Sequence, residues 1–221
     1  MSLSHLPLFP LPVVLFPGTT LPLHVFEQRY RSLLRDCLDG DRRFGIIALH
    51  EGGEEQSISP GAVGCVAHIE ESEALPDGRS NILVRGTIRF ELVAIVASPA
   101  PYLVGRVTEY VDDPDTGSGL ELLAAHIRDV FLRVAKAARA LADDPNPVPR
   151  LPDEPELLSF AIASMIDLDL NARQQLLVSD SPRERLERLD AVLLPALDTL
   201  GIRAHVHTLA KLNGQGAHLQ T

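Results

Sequence analysis

The 221-residue chain carries 30 acidic and 20 basic residues, a net charge of −10, with 45% hydrophobic and 23% charged positions. A chain of this size buries roughly 70% of its unfolded surface and needs neither disulfides nor metals to fold, and its composition excludes a disordered polymer. The acidic balance removes counterion release on a nucleic-acid backbone as a driving force, and no Lys/Arg run offsets it, since the only lysines are Lys136 and Lys211.

The first half reads as β structure around one helix. Leu6–Pro12 is proline-rich and suits an extended edge segment, because proline cannot donate to a ladder. Val13–Phe16 is a short apolar run closed by Pro17-Gly18, and Thr20–Val25 is again extended. From Phe26 the period changes: Phe26, Tyr30, Leu33, Leu34, Cys37 and Leu38 recur at helical spacing, with Gly40 as the stop. Strands are predicted at Arg43–Leu49 and Ala62–Ile69. A turn follows at Leu75-Pro76-Asp77-Gly78-Arg79, then a long strand over Asn81–Val96 and another over Tyr102–Val111. In the long strand Ile88, Phe90 and Leu92 alternate with Thr87, Arg89 and Glu91, which predicts one buried and one wet face. Gly86 breaks the run and predicts a bulge or a barrel corner.

Beyond Asp112–Gly117 the pattern turns helical. Leu120, Leu123, Ile127, Val130, Phe131, Val134, Ala138 and Leu141 form a stripe, and five prolines between Asp143 and Pro155 enforce a loop. Helices are predicted at Glu156–Ile166, at Asn171–Val178 and from Ser181, where an N-cap serine, Pro182 and Glu184 make a capping box. Pro195 should kink or end this last helix, and the tail from Asn213 should fray. The expected fold class is α+β, a β part over 1–115 followed by a helical bundle over 116–221. The acidic stretches Glu51–Glu55, Glu70–Glu73 and Asp112–Asp115 read as solvated loops. Cys37 and Cys65 read as buried thiols. Without a positive n-region or an apolar run of about 20 residues, the expected location is the cytoplasm, with no membrane partner.

Several segments together resemble the opening of Lon protease substrate-binding domains: Leu8-Phe9-Pro10-Leu11-Pro12, Val14-Leu15-Phe16-Pro17-Gly18, Leu21-Pro22-Leu23-His24-Val25-Phe26-Glu27 and Arg29-Tyr30. Gly40–Gly45, Gly61–Gly64, Leu75–Arg79 and Val84–Phe90 continue the likeness, and Glu184–Leu189 extends it more loosely. The resemblance implies a PUA-like β pseudo-barrel followed by helices. It also implies a stand-alone, ATP-independent version of a domain implicated in capturing unfolded polypeptide.

Chemistry is hard to find. No Gly-Lys pair supports a phosphate-binding P-loop, neither lysine sits in the family's protease motif, and no Gly-x-Ser-x-Gly elbow occurs. His205-x-His207 lacks further ligands at metal spacing. The expectation is therefore no enzyme, no cofactor and no metal. Candidate peptide-binding residues are Phe16, Leu23, His24, Phe26, Tyr30 and Phe44; large apolar side chains of this kind equally suit a core. The expected partner is an unfolded polypeptide or another protein. A small-molecule pocket where barrel and bundle meet is the alternative.

Overall fold

The computed structural model describes residues 5–49, 53, 55–114 and 117–216, and for Gln56 and 205–216 the backbone alone. The pair His205/His207, the acidic residues Glu51, Glu54 and Asp115, and the last five residues of the tail lie outside the described side chains. Among the described residues the architecture is mixed α+β, with six strands and five α-helices. Strands β1 (Leu6–Leu11) and β2 (Thr20–Val25) precede helix α1 (Gln28–Asp39). Strands β3 (Arg43–Ala48), β4 (Val63–Ala74), β5 (Ser80–Val96) and β6 (Val104–Glu109) follow. Then come α2 (Leu120–Ala142), α3 (Pro155–Met165), α4 (Leu170–Val178) and α5 (Pro182–Gly216).

The chain divides into two compact units. One holds the described residues up to Asp113 together with Ala163–Asp180; the other holds Pro114–Ile162 and the described residues from Ser181. The chain therefore changes unit after Asp113, after Ile162 and after Asp180, where composition suggested one boundary. Helix α4 belongs to the strand-bearing unit because it returns to the sheet: the Gln174 side-chain amide donates to the Val63 carbonyl at 2.9 Å.

In that first unit the strand order is β2-β5-β4-β3-β1-β6, and a further β5–β6 pairing closes five strands into a ring. Strand β5 makes this possible by serving two partners along one edge. Its first half pairs with β2 (Thr20↔Arg85 to Val25↔Ser80), and its second half pairs with β6 (Phe90↔Glu109 to Val96↔Val104). Gly86 sits at the changeover. A Cβ there would lie 2.2 Å from the Phe16 carbonyl oxygen, so only glycine lets the loop before β2 approach. Backbone bonds from Gly18 N to Gly86 O (2.9 Å) and from Gly86 N to Thr19 O (2.8 Å) fix that approach.

Strand β1 is not an edge. It pairs in parallel with β3 (Leu8↔Gly45 to Leu11↔Ala48) and antiparallel with β6 (Leu6↔Gly105, Pro7↔Val104). Its prolines are accommodated because backbone donors alternate sides along a strand. The Leu8 N–H points at β6, bonding Leu103 O at 2.8 Å, so Pro10 points the same way, past the end of that ladder. Pro7 points toward β3 one residue before the parallel pairs begin.

Two apolar clusters fill this unit. All five ring strands contribute to one, through Leu6, Leu8, Ile47, Val66, Phe90, Leu92 and Val107. The other lies under α1 and joins Phe9, Tyr30, Leu33, Leu34, Cys37, Phe44, Ile46 and Ile69. The two sets occupy successive residues of β1 and β3, so both faces of these strands are covered. Helix α1 starts at Gln28, and Phe26, expected on its buried stripe, instead precedes the helix and is 60% exposed.

The alternation read in β5 also fails at one point. Arg89 is 4% exposed. One guanidinium nitrogen donates to the carbonyls of Leu177 and Ser179, at 2.7 Å each, and the other pairs with Asp112. The outer face of β5 is thus covered where the C-terminus of α4 arrives. The cation stays buried because it meets a carboxylate and the open carbonyls of a helix end. Tyr110 completes the contact, its ring 4.8 Å from the Arg89 guanidinium and its hydroxyl donating to Val178 O at 2.8 Å.

In the second unit α2 packs on α5, burying Ala124, Ile127, Val130 and Phe131 from one and Leu186, Leu189 and Leu193 from the other. The predicted N-cap is present, with Glu184 N donating to Ser181 Oγ at 3.2 Å. Arg185 is fully buried, stacked 4.2 Å over Phe160 and donating to Ser159 Oγ at 2.9 Å. Pro195 does not end α5, whose backbone stays helical to Gly216. Pro195 is exposed, so water serves the carbonyl it leaves without an N–H partner. No described helix is long and apolar enough to cross a membrane.

Both cysteines are free and buried. Burial pushes each thiol from an ordinary value of 9.0 up to about 12, with Asp41 and Asp36 adding to the effect at Cys37. Because the folded state holds these protons more tightly, their contribution to stability is complete below pH 9. It is lost as pH rises from 9 to 12. The thiolate is the reacting form, so iodoacetamide at pH 8.5 should label neither cysteine in the native protein and both after denaturation, read by intact mass. Native labelling within minutes would contradict this packing.

Candidate functional site

An open groove of about 650 Å³ lies on the first unit. One wall is the end of β1 and its continuation, Pro10, Leu11 and Pro12. The opposite rim comes from the β2–α1 junction, where His24 and Phe26 stand, and Leu49 closes the β3 end. The junction shapes this rim directly. Alternation along β2 turns Val25 into the core and leaves His24 outside, and the helix does not begin until Gln28, so Phe26 is left without a core to enter.

The floor is polar and internally satisfied. Tyr30 is 4% exposed and stacks on Phe9 at 4.0 Å between ring centroids. Its hydroxyl donates to Glu55, whose carboxylate also takes Arg29 Nη1 at 2.8 Å. Arg29 Nε reaches Glu27 at 3.0 Å, and its guanidinium lies 4.6 Å from the Tyr30 ring centroid. Burial, then the hydrogen bond to the Glu55 carboxylate, pushes the Tyr30 phenol well above its usual range. A tyrosine held protonated in this way is a donor locked onto Glu55, not a general base. At the rim, His24 Nδ1 lies 2.8 Å from Asn81 Oδ1 and Nε2 lies 3.4 Å from Arg79 Nη1. That pattern assigns the ring proton to Nδ1, because an amide oxygen only accepts and a guanidinium only donates. The groove offers a ligand both polar and apolar surface, the apolar part being the Phe26 ring, the proline wall and Leu49.

The six sequence candidates separate cleanly. His24, Phe26 and Tyr30 line the groove. Phe16 and Phe44 are 1% and 0% exposed and belong to the interior, and half-buried Leu23 packs against the cluster under α1. Sequence reasoning placed Arg29, Pro10 and Pro12 in a signature without giving them a role at a groove. It misread Glu55, which the acidic run 51–55 made look solvated; here the side chain is 22% exposed and serves two partners. The spacing to Tyr30 carries no local signal for that pairing. Among the described residues no cluster of His, Cys, Asp or Glu is arranged to hold a metal ion.

A ring-closed six-stranded sheet with five helices, bearing a groove beside its first strands, fits the PUA-like, α+β class of binding domain. A family model described as the ATP-dependent protease La (LON) substrate-binding domain matches residues 5–193, and the chain belongs to that family. Lon protease 2 of Herpetosiphon aurantiacus is 31% identical over 205 residues, covering 91% of this chain and 25% of that protein. The Lon protease of Cytophaga hutchinsonii is 28% identical over 210 residues, covering 93% and 26%. The chain thus spans about a quarter of the length of these curated relatives, and the matched quarter is the substrate-binding domain rather than an ATPase or protease domain. Among solved structures, a Lon N-terminal domain protein from Xanthomonas campestris superposes with a TM-score of 0.61 at 28% identity, over 86% of this chain and 98% of that one. The N-terminal domain of Mycobacterium avium complex Lon protease gives 0.67 at 20% identity with the same coverage, a likeness of fold.

Proposed function

We propose that the groove holds an extended, apolar segment of an unfolded polypeptide or protein partner and that the domain binds it without chemistry. The observation that carries this reading is Phe26: an aromatic ring 60% exposed at the rim of an open groove, in a chain of the substrate-binding family. Apolar side chains with aromatic anchors are the usual currency of peptide recognition. The net charge of −10 favours a neutral or basic segment over nucleic acid. The absence of a Gly-Lys phosphate loop in the sequence supports action without ATP.

Phe26→Ala tests the reading. The residue is exposed, so the melting temperature should stay nearly constant. Affinity for a fluorescent, permanently unfolded model protein should fall roughly 10–30-fold, as for an aromatic hot spot. Unchanged affinity, or no wild-type binding at tens of micromolar, would defeat the proposal. A small-molecule ligand is the second reading, favoured by a volume of about 650 Å³ that lies within the range of such sites. A thermal-shift hit that Phe26→Ala abolishes, with no polypeptide binding, would establish it instead.

A further inference from the structure

A different face of α1 carries a second hollow, of about 320 Å³, independent of the groove. Its walls supply hydrogen-bond donors: Gln28, Arg31, Ser32 and Arg35 from the helix, and Ser80 from the first position of β5. Arg31 and Arg35 are four residues apart, so their stems rise from the same side of the helix. Ser32 and Ser80 are each 9% exposed, and among the described residues neither hydroxyl has a hydrogen-bond partner. Arg31 is half-buried, and its side chain likewise makes no hydrogen bond or ion pair with a described residue. It lies against the turn before β5. Gly78, at φ +81°, passes so close that a Cβ there would come within 2.0 Å of an Arg31 guanidinium nitrogen. Further along α1, Asp36 is engaged by the exposed Arg35 at 3.4 Å, and Asp39, which also lines the hollow, makes no ion pair with a described residue.

A half-buried guanidinium and two hydroxyls on largely buried serines thus leave donors open to a ligand, in a chain of strongly negative charge. We propose that this hollow is a binding site for a phosphate-class oxyanion. Two arginine forks, two hydroxyls and an amide line the one hollow, and that number of donors suits a tetrahedral group with four acceptor oxygens better than a planar carboxylate with two. The volume admits the phosphoryl group with a small carrier.

The test is titration of the intact chain with inorganic phosphate at constant ionic strength, followed by backbone amide NMR shifts, with acetate and chloride as comparisons. Phosphate should give saturable shifts confined to α1 and residues 75–80. Arg31→Gln should weaken binding about tenfold or more, the usual range for a charge-assisted contact. Arg106→Gln removes an equally free arginine on β6 and should change nothing. Should Arg31→Gln fail to fold, the exposed Arg35→Gln carries the same expectation. Tighter binding of phenyl phosphate than of phosphate would mark a phosphate monoester as the ligand, and equal binding would mark the free ion; either supports the site. No saturation, an equal response to acetate, or an equal loss in Arg106→Gln would overturn it.

Discussion

Replacing Arg89 with methionine should cost about 3–5 kcal/mol of stability, because it removes one partner of a buried ion pair and leaves Asp112, 11% exposed, without its counter-charge. The Leu177 and Ser179 carbonyls lose their donor in the same step, and with them the bond that ties the end of α4 to the β5 corner. Urea unfolding measures the loss. A double-mutant cycle with Asp112→Asn attributes it: the pair should cost clearly less than the sum of the single changes, since the carboxylate no longer needs a cation. A loss below 1 kcal/mol for Arg89→Met would mean that the guanidinium holds nothing together.

The second large effect sits inside the ring. Phe90 is fully buried, and its ring tip occupies the space that side chains at positions 45 and 64 would need. Phe90→Ala should destabilise by roughly 3–5 kcal/mol through lost burial and the cavity left behind. The glycines divide into two kinds. A Cβ at Gly45 meets only side chains, Phe90 at 2.7 Å and Leu6 at 2.8 Å, whereas one at Gly64 meets the Ile46 backbone oxygen at 2.4 Å as well as Phe90 at 2.6 Å. Phe90→Ala should therefore partly rescue the folding of Gly45→Ala and should not rescue Gly64→Ala, as seen in the melting temperatures of the two double variants.

Much of the fold is legible in the residues because its signals are local. The turn at residues 75–79 shows the Gly78 N–H bonding the Leu75 carbonyl at 2.9 Å, and the Ser181 hydroxyl takes the Glu184 N–H as an N-cap serine should. The change of period after β2 marks α1 to within two residues. What escaped depends on partners far along the chain. Nothing near Leu6–Leu11 says that β6 will cover its second side, so its prolines argued for an edge. Arg89 looked wet because its acceptors come from residues 112, 177 and 179. At the groove, Phe26 was selected for its type and position. Its exposure rests on where α1 begins, and the role of Glu55 rests on a contact across 25 residues.

The closing strand has a consequence for how the protein is made. Strand β1 leaves the ribosome before the other five strands, yet one of its two ladders is with β6, which the ribosome delivers only after β2 to β5. Until then β1 and the second half of β5 each present an unsatisfied border, during the interval when nascent chains are most prone to cling to one another. Such distant pairing slows folding, since the entropy of a long loop is spent before the contact repays it. Pro10, whose missing N–H faces that border and is unhelpful to any intruding strand seeking donors, is well placed to keep it quiet while it waits.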